Sequence, residues 1–231
     1  VHEKWDTNTA ILSGDVMLIK VYDMFLRLPP THLNSALAAF NICAAQVCEG
    51  QQWDMEFEAT DRVSEKQYLD MIRLKTAVLL GFSLELGALL ANAPQKDRKA
   101  LREFGTNIGI GFQLKDDMLD AFADPAKFGK QVGGDILANK KTYLLIKALE
   151  RAEGKVRKEL LFWLSAKKFR KTEKVSAVTG IYERLGIPSI AERKVTFYFQ
   201  RGFQKLDQVT GNPSRLAILR EFTENLIQIQ S

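Results

Sequence analysis

Apolar residues recur three and four positions apart over long segments of the chain, whereas runs of alternating apolar and polar residues are scarce. This spacing gathers apolar side chains on one face of a helix, so it predicts an all-α fold. Proline, glycine and capping residues predict where the helices begin and end. The predicted helical segments are about 31–58, 64–92, 95–122 and 141–152. Further helices follow, and they are separated by Gly186 with Pro188 and by Gly211-Asn212-Pro213.

Length and composition fit one compact domain spanning 1–231, because a chain that is 46% hydrophobic can bury a sizeable core. No apolar run approaches the roughly 20 residues that a membrane span needs. The N-terminus also lacks a signal pattern. We therefore expect a soluble, cytoplasmic protein without stable membrane insertion.

Cys43 and Cys48 lie five residues apart in one apolar helical stretch, a poor spacing for a disulfide, and are predicted to be buried thiols.

Lysine and arginine number 33 against 28 aspartates and glutamates. The excess indicates anionic partners without deciding between nucleic acid, membrane lipid and phosphorylated metabolites. The densest basic stretch is 155–174, in which Phe162, Trp163 and Phe169 stand between the cations. Because no nucleic-acid motif accompanies it, a solvated helical face is favoured over a nucleic-acid surface.

Three aspartates near the end of the 95–122 helix are the sharpest chemical feature. Asp116 and Asp120 are one turn apart and Asp117 is three residues from Asp120, so the three side chains can converge. Carboxylates this close repel each other unless a divalent cation lies among them, and oxygen-only ligands suit magnesium better than zinc. A solvated acidic helix end is the alternative. The preceding apolar, glycine-rich turns favour the metal site, because close packing there would hold the aspartates rigidly.

Lys130 and Lys140 bracket Gly133, Gly134 and Asp135 downstream of the acidic helix. A loop of this kind can fold onto phosphate oxygens, with the lysines supplying charge and the glycines letting backbone N–H groups approach. An ordinary glycine loop between helices is the alternative, and the nearby aspartates favour the phosphate site.

Lys75 shares a stripe of its predicted helix with Tyr68, Ile72 and Leu79, which are expected to face the core. Burying an unpaired ammonium group is costly, so Lys75 either extends to the surface or meets a bound anion. Thr76 either bonds back to its own helix or points its hydroxyl into the same cavity. Carboxylates, lysines and long apolar helices together suit an amphiphilic substrate with a diphosphate head and a hydrocarbon tail.

An ordered set of motifs in this chain resembles the trans-isoprenyl diphosphate synthases, the polyprenyl synthetases. The matching residues are Gly50-Gln51-x-x-Asp54, Lys75-Thr76, Phe112-Gln113, Asp116-Asp117-x-x-Asp120, Gly129-Lys130, Gly134-Asp135 and Lys140-x-Thr142. The stretch 2–15 also resembles the part of these enzymes that follows their first aspartate-rich region. The resemblance therefore covers essentially the whole chain.

The resemblance implies an isoprenoid synthase fold, a single-domain bundle of roughly antiparallel helices around a central cavity, usually as a homodimer. It implies a Mg²⁺-dependent prenyltransferase. An allylic diphosphate ionises, isopentenyl diphosphate attacks the cation through its double bond, and proton loss leaves a longer trans-polyprenyl diphosphate.

The resemblance also implies roles for individual residues. Metal ligation would fall to Asp116, with Asp117, Asp120 and Asp135 acting directly or through water. The allylic diphosphate would be held by Lys75, Lys130 and Lys140. Thr76 and Gln113 would direct oxygen dipoles at the allylic cation, and Phe112 would pack near the isopentenyl group.

Two departures from the family pattern leave alternatives open. Asp-Asp-x-x-Asp occurs once in this sequence, whereas the family enzymes carry two such motifs, and the N-terminal helices with the first motif are expected upstream of Val1 in a longer protein. The C-terminus also lacks the basic ending of many members. A noncatalytic subunit of a heteromeric synthase is the alternative to an active enzyme, and a nucleic-acid-binding domain is a third. Intact Lys75, Gln113, Asp116 and Lys130 favour the enzyme.

Overall fold

The computed structural model describes residues 1–123 and 132–229, and within these ranges every regular element is a helix. The all-α prediction is confirmed. The elements are α1 (Thr7–Phe25), α2 (Pro30–Ala59), α3 (Glu65–Ile72), a π-helical turn (Arg73–Ala77), α4 (Val78–Leu90), α5 (Gln95–Phe122), α6 (Gly134–Leu137), α7 (Tyr143–Arg151), α8 (Gly154–Ser165), α9 (Lys171–Arg184), α10 (Ile187–Leu206) and α11 (Pro213–Ile229).

Helix boundaries follow the punctuation in the sequence. At the start of α3, Ser64 accepts a hydrogen bond from the Gln67 amide, and the Gln67 side chain accepts one from the Ser64 amide, which completes a capping box. Gly186, at φ 67°, supplies the left-handed residue immediately before α10. Strong local signals thus sufficed to predict these boundaries.

The predicted helix over 64–92 is interrupted by the π-helical turn. Its wider hydrogen-bonding pattern inserts a residue into the helical repeat, so the faces before and after it fall out of register. Tyr68 and Ile72 are buried as expected, but Leu79 is 49% exposed. The prediction that Leu79 faces the core was therefore wrong, because it assumed one uninterrupted helical period.

Helix α5 lies at the centre of the bundle, against α4 on one side and α10 on the other. Phe104 and Leu114 of α5 are fully buried. A Cβ atom at Gly109 would lie 2.7 Å from the Cα of Ala77, so only glycine allows this close approach. The predicted close packing is confirmed, and it fixes the helix that carries Asp116, Asp117 and Asp120.

A smaller core cluster joins α1, α2 and α4 around Phe25, Cys43 and Phe82. Cys43 is buried, but Cys48 is exposed, so the prediction of two buried thiols was wrong for Cys48. Five residues of an α-helix turn through about 500°, which places Cys48 away from the buried face.

No helix in the described ranges is both long and apolar enough to cross a membrane.

Candidate active site

An open cleft lies between α2, α3, the π-helical turn, the end of α5 and the α6–α7 segment. Its volume is about 180 Å³. Pockets for whole drug-sized ligands run from roughly 300 Å³ upwards. The cleft is smaller than this, so it suits the polar head group of an amphiphilic substrate and not the whole molecule. The cleft is lined by Asp54, Phe57, Glu58, Tyr68, Met71, Ile72, Lys75, Gln113, Asp116, Asp117, Asp120, Asp135, Lys140, Lys141 and Thr142.

Asp117 is the most enclosed carboxylate of the cleft. Its Oδ2 accepts hydrogen bonds from the Tyr68 hydroxyl and, at 3.4 Å, from the Tyr143 amide. Its Oδ1 accepts one from the Gln113 side chain at 3.4 Å. Burial raises the pKa of Asp117 to about 7, although the hydrogen bond from Tyr68 acts to lower it. Both oxygens are engaged by protein donors, so Asp117 ties α5 to α3 and α7.

Asp120 and Asp135 join the end of α5 to α6. The backbone amide of Asp135 donates to Oδ2 of Asp120 at 3.0 Å. Burial raises the pKa of Asp120, and the nearby charges of Asp135 and Asp116 add to this effect. Asp135 and Asp116 are therefore close enough to Asp120 for the negative charges to repel each other.

Lys140 forms an ion pair with Asp135, with 3.4 Å between Nζ and Oδ1. Burial alone would lower the pKa of Lys140, but the carboxylates of Asp135, Asp54 and Asp117 outweigh it and raise the pKa. Lys140 is therefore held as a cation in the cleft.

Lys75 meets a carboxylate of its own chain. Its Nζ lies 2.5 Å from Oδ2 of Asp54 on α2, and both side chains are partly buried. The sequence left two possibilities for Lys75, the surface or a bound anion, and did not predict this partner. A phosphate that binds Lys75 must share it with Asp54 or displace Asp54.

The π-helical turn and Gly50 together place Lys75. A Cβ atom at Gly50 would overlap the backbone nitrogen of Lys75, so α2 and the turn touch backbone to backbone at this point. The turn thereby brings Lys75 to Asp54, four residues along α2 from Gly50. Gly50 is required by packing and not by an unusual backbone angle.

Replacing Gly50 with alanine should separate α2 from the π-helical turn. We expect Gly50→Ala to lower the free energy of unfolding by about 1–3 kcal/mol, as overpacked sites do. Gly87→Ala is the matched control, because a Cβ atom there meets nothing within 4 Å. That variant should be neutral or stabilised by up to about 1 kcal/mol. Chemical denaturation measures both, and equal behaviour of the two variants would contradict the close contact.

The remaining predicted residues differ in their placement. The Thr76 hydroxyl donates to the Gln113 side-chain oxygen at 3.3 Å, so Thr76 points towards α5 and not back along its own helix. Phe112 is half-buried on α5 and does not line the cleft. Lys130 lies outside the described residues.

Negative charge prevails in the cleft. Six carboxylates line it against three lysines, so lysines alone do not make it a site for a diphosphate. Within residues 1–123 and 132–229, no three His, Cys, Asp or Glu side chains lie close enough to enclose a metal ion. Mg²⁺ commonly takes only one or two carboxylates and completes its shell with water and phosphate oxygens. The oxygen-only donors and the negative charge therefore fit Mg²⁺ bound together with a diphosphate.

Comparison with known proteins decides the family. A family profile described as "Polyprenyl synthetase" matches residues 1–182. The chain belongs to the polyprenyl synthetase family. The family resemblance of the motifs is thereby confirmed.

Named relatives and a solved structure agree with this assignment. The chain is 33% identical to "Short chain isoprenyl diphosphate synthase" of Methanothermobacter thermautotrophicus, covering 96% of this chain and 68% of that protein. It is 36% identical to "Geranylgeranyl diphosphate synthase" of Sulfolobus acidocaldarius, covering 96% and 69%. A crystal structure of a geranylgeranyl pyrophosphate synthase, 38% identical, superposes with a TM-score of 0.92 over 100% of this chain and 70% of that one. This polyprenyl synthetase chain thus spans about two thirds of their length.

Sequence reasoning missed two features of the polyprenyl synthetase site. Tyr68 and Tyr143 hold Asp117, and Asp54 pairs with Lys75. Tyr68 carried a signal, since it lies on the same predicted stripe as Lys75 and its hydroxyl, once buried, needs a partner. The pairing of Lys75 carried none, because it depends on the π-helical turn.

Proposed function

We propose that this chain supplies the diphosphate-binding half of a trans-prenyltransferase active site that condenses isopentenyl diphosphate with an allylic diphosphate. The observation that carries the proposal is the convergence in one cleft of Lys75, Gln113, Asp116 and Lys140. Relatives named as isoprenyl and geranylgeranyl diphosphate synthases support it. No finding favours a noncatalytic subunit.

Metal binding falls first to Asp116 in this proposal. Its carboxylate accepts no hydrogen bond from the described part of the chain, whereas Asp117 accepts three and Asp120 accepts from the backbone of α6. Asp120 and Asp135 are the other carboxylates proposed to bind the metal, directly or through water. Bound Mg²⁺ would neutralise the diphosphate and promote its departure from the allylic carbon. Asp117 acts as a positioning residue that fixes the end of α5 through Tyr68 and Tyr143.

Lys75 and Lys140 hold the diphosphate from two sides, and Lys130 is proposed as a third cation. Negative charge develops on the diphosphate as the allylic C–O bond breaks, so ammonium groups fixed beside it stabilise the transition state more than the ground state. Gln113 directs its side-chain oxygen towards the allylic cation, with Thr76 orienting it through their hydrogen bond. Phe112 is proposed to pack near the isopentenyl group.

Incubation with Mg²⁺, isopentenyl diphosphate and short allylic diphosphates tests the function. The products, after removal of the diphosphate, should be trans-polyprenyl alcohols longer than the primer by multiples of five carbons. Recovery of the primer unchanged at every primer length would contradict the proposal for this chain.

A homodimer is the proposed assembly, and α1 is the proposed contact. Apolar residues cover several sides of α1, including Leu12, Met17 and Ile19, which are 63%, 70% and 60% exposed. So many large, exposed apolar side chains on one helix are unusual on a soluble monomer and mark an interaction site. A second copy of this chain offers the same exposed side chains, which suits the self-complementary contact of a twofold dimer.

Charge on α1 should therefore weaken the assembly. We expect Met17→Glu to shift the mass measured by light scattering from dimer to monomer at micromolar concentration, because a buried unpaired carboxylate opposes association. Phe222→Glu on α11 is the matched control, since Phe222 is 60% exposed. A monomeric parent chain, or an unchanged dimer in Met17→Glu, would contradict the proposed contact.

A further inference from the structure

Helix α8 presents basic and apolar side chains on one exposed face. Lys155, Lys158, Leu161 and Phe162 recur three and four positions apart and share one side of the helix. Leu161 is 45% and Phe162 60% exposed, whereas Leu160, on the opposite side, is fully buried in the core. The exposed side of α8 thus carries both basic and apolar side chains.

The segment that follows α8 along the chain is also basic. Lys167, Lys168, Arg170 and Lys171 are all exposed. With α8 they form what is here termed the basic face, comprising Lys155, Lys158, Leu161, Phe162, Lys167, Lys168, Phe169, Arg170 and Lys171. The stretch 155–174 holds eight cations and two carboxylates, so its excess of six positive charges exceeds the net charge of +5 of the whole chain.

The basic face is anchored to the body of the protein. The Phe169 ring lies 4.5 Å from Nζ of Lys174, a buried lysine of α9. Lys174 donates to the Asn139 side chain at 2.7 Å, and Asn139 donates to the backbone of Leu164 at 3.0 Å. The segment between α8 and α9 is therefore held against the body of the protein and need not fold when a partner binds.

Most cations of the basic face have no acidic partner. Within residues 1–123 and 132–229, Lys155, Lys158, Lys167, Lys168 and Lys171 form no ion pair with a carboxylate. Arg170 forms an ion pair with Glu173, and Glu159 forms one with Arg184. The positive potential of this face is consequently not neutralised within the protein.

We propose that the basic face docks the protein on the surface of an anionic lipid bilayer. Lysines interspersed with exposed Phe and Leu side chains are the composition of peripheral membrane sites, where the cations meet anionic headgroups and the apolar groups enter the interface. A nucleic acid would use the cations, but it offers nothing apolar to the Leu161 side chain. Binding of this kind is reversible and needs no helix that crosses the membrane.

The docking proposal goes beyond the proposed reaction and does not depend on it, because none of these residues lines the cleft. An amphiphilic product with a long hydrocarbon tail would enter a nearby bilayer directly. Membrane docking and turnover are measured separately, so either can fail without the other.

Co-sedimentation with vesicles tests the docking proposal. The chain should bind vesicles of phosphatidylcholine mixed with phosphatidylglycerol, bind phosphatidylcholine alone weakly, and be released by salt. Lys167→Ala combined with Lys168→Ala should weaken binding to the anionic vesicles about 25-fold, on the basis of about fivefold per cation. Phe162→Ser should weaken it about tenfold.

Matched variants elsewhere on the surface serve as controls. Lys96→Ala with Lys99→Ala removes two cations from the start of α5, and Phe197→Ser removes an aromatic side chain that is 51% exposed. These variants should bind as the parent chain does. Equal losses in the control variants, equal binding to neutral vesicles, or retention of duplex nucleic acid in place of anionic vesicles would each overturn the proposal.

Discussion

Replacing Asp116 with asparagine is expected to lower turnover about 10²–10³-fold, the range seen when one preorganised charge-stabilising group is removed. Asparagine keeps the size of the side chain and one oxygen but loses the negative charge that holds a divalent cation. Because Asp116 accepts no hydrogen bond within residues 1–123 and 132–229, the free energy of unfolding should change by less than about 0.5 kcal/mol. Steady-state rates with isopentenyl and allylic diphosphates, together with urea denaturation, measure the two effects.

Asp207→Asn provides the matched control for Asp116→Asn. Asp207 pairs with Arg220 at the protein surface, at 2.5 Å, and does not line the cleft. Its loss should cost no more than about 1 kcal/mol of stability and leave turnover unchanged. Equal turnover in Asp116→Asn and the parent chain would remove Asp116 from the proposed metal site.

Replacing Lys75 with methionine should also lower turnover by about 10²-fold or more, because one of the two described cations proposed to hold the departing diphosphate is lost. This variant has a second effect, since it leaves the Asp54 carboxylate without its partner in the cleft. We therefore expect a stability loss of about 1 kcal/mol, the low end of the cost of an unsatisfied polar group, because Asp54 is only partly buried.

The two effects of Lys75→Met separate in a double variant. Adding Asp54→Asn removes the unpaired charge and should recover most of the stability, whereas turnover should stay low. Lys66→Met is the control, because the Lys66 side chain is 88% exposed and pairs with Asp70 on the surface of α3. Recovery of turnover in the double variant would show that Lys75 acts through Asp54 and not on the diphosphate.

Features of this molecule could be predicted from its sequence where the interacting groups lie close together along the chain. The bounds of α5 and the capping box of α3 follow from local pattern, because the capping groups and the helical repeat lie within a few residues of each other. The cluster of Asp116 and Asp120 follows in the same way, since one helical turn joins them.

Features that arise from packing between distant segments could not be predicted. The π-helical turn lies with Lys75 against Gly50, 25 residues away in the chain, and Leu79, which follows the turn, is 49% exposed. The hydrogen bond from Tyr68 to Asp117 spans 49 residues. Helical periodicity contains no information about either contact.

The arrangement of charge in the cleft explains why a cation and a diphosphate should bind together. Lys75 and Lys140 each already have a carboxylate neighbour, which is Asp54 for Lys75 and Asp135 for Lys140. An added anion would compete with those carboxylates unless a divalent cation neutralised them. Binding of metal and diphosphate should therefore be cooperative, each raising the affinity for the other by the same factor.

Titration calorimetry with inorganic pyrophosphate tests this claim most directly, because it needs neither turnover nor an allylic substrate. The account predicts that pyrophosphate binds the parent chain in the presence of Mg²⁺, that EDTA abolishes the heat of binding, and that Asp116→Asn weakens binding at least tenfold. Equal pyrophosphate affinity with and without Mg²⁺, or equal affinity in Asp116→Asn and the parent chain, would contradict it.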